Sequence, residues 1–73
     1  MKVKEILKNI KELSERIIFI KKQIETIQKN LENGFYSNNK YWLKSLVEWN
    51  KSLKRNKKIL NSFFELLNKE MDK

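Results

Sequence analysis

Cysteine, histidine, proline and alanine are all missing from these 73 residues, and glycine occurs once, at Gly34. Without cysteine no disulfide can form, and the chain carries no thiol signature of an oxidising or reducing compartment. The lack of histidine removes most zinc-binding ligand sets along with it. With a single glycine there is no glycine-rich phosphate loop, and with no proline nothing forces a break in a long helix. A domain of this length sits near the lower limit of what one apolar core can stabilise. Small domains gain support from disulfides, a structural metal or self-association, and only the last is open to this chain.

Long apolar runs are missing too. The longest, Ile17 to Ile20, has four residues, whereas a membrane span needs roughly 18 to 20. The N-terminal segment alternates Lys and Glu with apolar residues and lacks the apolar core of a secretory signal; a cytoplasmic protein is expected. Catalysis near neutral pH usually recruits His, Cys or a placed carboxylate pair. Here the one Asp is Asp72, near the C-terminal end, and acids such as Glu12 and Glu15 stand among lysines. The two arginines, Arg16 and Arg55, are too few for a dianion-binding active site inside a helical bundle. The expectation is a non-enzymatic protein with no catalytic residue, no metal and no cofactor.

What is present is helical periodicity. Val3, Ile6, Ile10, Leu13, Ile17, Ile20, Ile24, Ile27 and Leu31 are spaced alternately three and four apart, the pattern of a coiled-coil seam. Pairs four apart, Lys8 with Glu12, Glu12 with Arg16, Lys21 with Glu25 and Glu25 with Lys29, can each add a few tenths of a kcal/mol on an exposed helix face, roughly. Ile18 and Phe19 lie off the seam and are read as a second apolar patch. Asn33 and Gly34 end the periodicity, and Gly suits the left-handed residue that closes a helix. Phe35 is expected to fold back near Leu31, and Ser37 to cap the next helix, with Tyr36 and Tyr41 as its hydrophobic staple.

A second seam follows: Trp42, Leu46, Trp49, Leu53, Asn56, Leu60, Phe63 and Leu67. Helix one is thus expected over about 3–33, the turn over 34–38 and helix two over 39–71, in a single domain spanning 1–73. Trp42 and Trp49 read as core anchors. Asn56, the one polar seam residue, reads as a register device, since a buried amide penalises misaligned pairings. Leu43, Val47, Ile59, Phe64, Leu66 and Met71 widen the apolar stripe beyond what one antiparallel partner covers. The predicted architecture is therefore all-α: an antiparallel hairpin of two long amphipathic helices, with two hairpins joined as a homodimeric four-helix bundle. Ile18, Phe19, Leu43, Val47 and Phe64 are the candidate docking or dimer patch.

Charge supplies the functional lead. The net formal charge is +8, which favours anionic partners. Between residues 40 and 58, Lys40, Lys44, Lys51, Lys54, Arg55, Lys57 and Lys58 face one acid, Glu48, so seven cations against one anion leave +6. Lys44, Lys51 and Lys58 share the helix line opposite the seam. Lys predominates, and a lysine lacks the bidentate fork that reads guanine edges, so general anion binding is favoured over sequence readout. The abundance of Lys, Asn and Ile suits an AT-rich genome, such as that of a low-GC bacterium, its phages or mobile elements. Three function classes follow: a small regulator or inhibitor docking on another protein, which is preferred; a dimeric hairpin that binds RNA or DNA; and a membrane-surface or bacteriocin-immunity-like protein.

Overall fold

The computed structural model describes residues 3–37 and 39–72. It consists of two helices, α1 (Val3–Glu32) and α2 (Asn39–Met71), packed together as a hairpin. Helix α1 spans 30 residues and α2 33, each close to 45–50 Å at 1.5 Å per residue, roughly. The molecule is correspondingly a rod of 55 × 15 × 13 Å. Its radius of gyration is 16.5 Å, against about 11 Å for a compact domain of this length.

The two seams meet, but unequally. Ile6, Leu13, Ile17, Ile20, Ile24 and Ile27 of α1 are buried. Their counterparts on α2, Trp42, Leu46, Trp49, Leu53, Leu60, Phe63 and Leu67, are only half-buried. Size explains this: the broad Trp, Phe and Leu side chains of α2 cover the isoleucines and overhang them, leaving their own outer edges wet. Isoleucine is a modest helix former because its branched Cβ restricts χ1. A long helix so rich in it owes its stability to this packed face more than to intrinsic propensity.

The reversal between the helices is a Schellman ending. The Phe35 N–H donates to Asn30 O at 3.0 Å and the Gly34 N–H to Leu31 O at 3.2 Å, the crossed pair that satisfies the last carbonyls of a helix. Gly34 has φ +69°, the left-handed value this motif needs. A Cβ at Gly34 would meet nothing within 4 Å, so a side chain there is opposed by backbone conformation alone. Gly34→Ala should cost about 1 kcal/mol, read as a lowered urea midpoint with unchanged m-value. No change in midpoint would mean that the turn relaxes to another geometry.

One local expectation needs correction. Phe35 is 73% exposed and does not cover Leu31; the turn is closed instead by Tyr36, whose hydroxyl accepts from Asn30 Nδ2 at 2.9 Å. Helix α2 begins at Asn39, as its periodicity predicts, and the junction between it and Ser37 runs through residue 38, which lies outside the described residues. Tyr36 and Tyr41 both pack on Trp42, Tyr36 stacked at 4.1 Å between centroids and Tyr41 edge-on at 5.1 Å.

Candidate anionic-partner interface

Helix α2 presents Lys40, Lys44, Lys51, Lys54, Arg55, Lys57 and Lys58 as exposed side chains. They extend over residues 40–58, about 27 Å of helix. Lys51, Lys54, Arg55 and Lys58 border one shallow surface concavity. Lys44 borders a second, with Tyr41, Ser45 and Glu48, while Lys40 and Lys57 line neither.

Among the described residues, Lys51 alone of the seven is ion-paired, with Glu48 at 3.6 Å, and both side chains are well exposed. An exposed pair of this kind contributes between zero and about 1 kcal/mol. The first turn of α2 carries no acid, whereas α1 has Glu5 there. The positive end of the α2 dipole therefore adds to the lysine charge instead of being offset by a carboxylate. The four i,i+4 pairs expected on α1 do not close in the structure. Holding two long, solvated side chains in one geometry costs entropy that a weak exposed attraction does not recover.

Asn56 is buried, at 8% exposure. Its Nδ2 donates to Ser52 O at 2.8 Å and lies 3.4 Å from Ser52 Oγ, one turn back on the same helix. Among the described residues no buried side-chain nitrogen or oxygen lacks a partner. Trp42 and Trp49 are half-buried and engaged by other rings: Trp49 meets Phe19 edge-on at 6.2 Å. That contact shows α1 and α2 running past each other with residue 19 level with residue 49.

This register separates the apolar patch into two. In an antiparallel pair the same side of each seam comes together. Asn30, Tyr36, Trp42, Phe19 and Trp49 are linked by the contacts above, and helical periodicity adds Arg16, Ser52, Ile59 and Leu66 to their side. We refer to it as the aromatic flank. Ile18, Leu43, Val47 and Phe64 fall on the opposite flank with Lys21, Lys54 and Lys57, the lysine flank. Ile18 and Phe19, adjacent in sequence, point 100° apart about the helix axis, roughly, and so do not form one surface. All five remain exposed.

Among the described residues no group of three or more acidic side chains could hold a metal ion, and no helix is long and apolar enough to cross a membrane. The fold and surface define a class: a two-helix antiparallel hairpin with one basic outer face. Comparison with family models, with curated proteins and with solved structures yields no match.

Proposed function

We propose that this chain is a small non-enzymatic interaction protein, working as a homodimer, that docks on an acidic protein surface through the outer face of α2. The observation that carries this reading is the uncompensated row: seven exposed cations on one helix with a single ion pair among the described residues. Charges left unpaired on the free protein are available to a partner. They accelerate encounter and exclude basic competitors more than they add final affinity. A regulator or inhibitor, encoded by a phage or another mobile element and acting in the cytoplasm, fits this behaviour.

Nucleic acid is the second reading, favoured by the length of the row, which exceeds the spacing of several successive phosphates. The half-buried, ring-packed tryptophans weigh against it, because bases stack on free aromatic faces.

Reversing Lys51, Lys54 and Lys58 to Glu together tests both. All three lie off the seam and are exposed, so helix content and melting should hold. With wild type and variant as parallel baits in lysate from the native host, an acidic protein should be captured by the wild type and lost from the variant. If RNA or DNA is captured instead, the second reading stands, and the log–log salt slope should fall by about three units in the variant, near one per lysine removed. Identical capture by both chains would overturn the role of this face.

A further inference from the structure

We infer that the aromatic flank is the surface on which a second copy of this chain sits, leaving open the lysine flank and, of the seven cations of the outer face of α2, all but Arg55. The inference rests on the homodimer reading above and adds which side of the hairpin forms the interface.

Area comes first. The hairpin exposes 6070 Å², whereas a compact folded monomer of 8.9 kDa exposes about 4,800 Å². The excess, about 1,300 Å², comfortably exceeds the roughly 800 Å² that each partner buries in a stable interface. One broad face of a rod 55 Å long and 15 Å wide supplies that area by itself. A second copy therefore needs one flank and not both.

Charge then decides which. Within the helices, the aromatic flank carries three cations, Arg16, Arg55 and Lys69, and three acids, Glu5, Glu12 and Glu48, a net of zero. On the lysine flank, Lys4, Lys11, Lys21, Lys40, Lys54 and Lys57 stand against Glu25 and Glu32, six against two, or +4. A two-fold interface sets a surface against itself. Self-pairing of the lysine flank would oppose +4 with +4 while removing water from lysines, whereas the aromatic flank meets its copy without net repulsion. Apolar content does not make the choice, since the lysine flank exposes Leu7, Ile18, Leu43, Val47 and Phe64 against Phe19, Ile59 and Leu66 on the aromatic flank; the aromatic flank offers these three without net charge. The wet edges of Trp42 and Trp49 lie beside them, and the small Ser45 and Ser52 allow close approach.

Because the chain has no cysteine, any disulfide formed in a single-cysteine variant is the engineered one. Ser45, Ser52 and Ser62 sample the aromatic flank and Ser14, Asn50 and Asn61 the lysine flank, each changed to Cys singly and oxidised at micromolar concentration. At least one aromatic-flank variant should cross-link into a covalent dimer, and none from the lysine flank. In sedimentation equilibrium the wild type should show twice the 8.9 kDa chain mass. Ile59→Glu and Leu66→Glu should fall to the single mass with helix content retained, and Val47→Glu and Phe64→Glu should remain dimeric. Cross-linking confined to the lysine flank, in a protein of doubled mass, would overturn this inference and leave the homodimer reading intact. A wild type that sediments at the single chain mass would overturn both.

Discussion

Ile20→Ala should destabilise the protein by about 3 kcal/mol, while Ile18→Ala, the same change two residues away, should cost under about 0.5 kcal/mol. Ile20 is 2% exposed and Ile18 54%. Truncating Ile20 removes three buried carbons and leaves a cavity that the surrounding helices fill only in part, so transfer and cavity terms add. In a domain of this size 1 kcal/mol corresponds to roughly 4–8 °C, so the two variants should differ in melting temperature by more than 10 °C, about. The measurement is thermal and urea denaturation at matched protein concentration, since association makes apparent stability depend on concentration. Equal losses at both sites would mean that Ile18 is covered in the working assembly. The lysine flank would then be an interface, contrary to the assignment above.

Asn56→Leu should act in the opposite direction, raising stability by about 1–2 kcal/mol. The site is buried and stands within a seam otherwise made of Trp, Leu and Phe, so a leucine buries apolar area where an amide now resists desolvation. The larger side chain introduces some overpacking, which limits the gain. The amide's hydrogen bond runs to Ser52 O on its own helix, a bond that survives in any register of α2 against α1. A register role for Asn56 would therefore rest on its aversion to a fully dry apolar neighbour and not on a hydrogen bond across to α1. We expect Asn56→Leu to gain stability and to populate additional assembly states in sedimentation velocity. A destabilised Asn56→Leu protein, or one that folds but no longer captures its partner, would show that the amide has another role.

Much of the architecture was legible in the residue pattern. Alternating three-and-four spacing over Val3 to Leu31 and Trp42 to Leu67 points to two helices with matching seams, and Asn33-Gly34 marks the break between them. Helix α1 ends at Glu32 and α2 begins at Asn39, within a residue of the expected bounds. The basic face was equally plain, because on a helix of known phase the outward line follows from counting.

Tertiary structure decided the rest. Phe35 was expected on Leu31 and points to solvent; Tyr36 takes the turn instead, because Trp42, on the next helix, offers it a flat ring. Ile18 and Phe19 read as one patch in sequence, but Phe19 leans across to Trp49 and Ile18 belongs to the other side. Periodicity specifies which side of its own helix a residue occupies. The side of the hairpin on which two residues from different helices meet depends on the direction and register of packing, fixed only when α1 and α2 come together. The sequence by itself thus determined two helices, their seams, the reversal at Gly34 and the sign of the outer surface. The division of the exposed apolar residues into a neutral aromatic flank and a charged lysine flank arose from packing, because it joins residues some thirty positions apart that no local spacing connects.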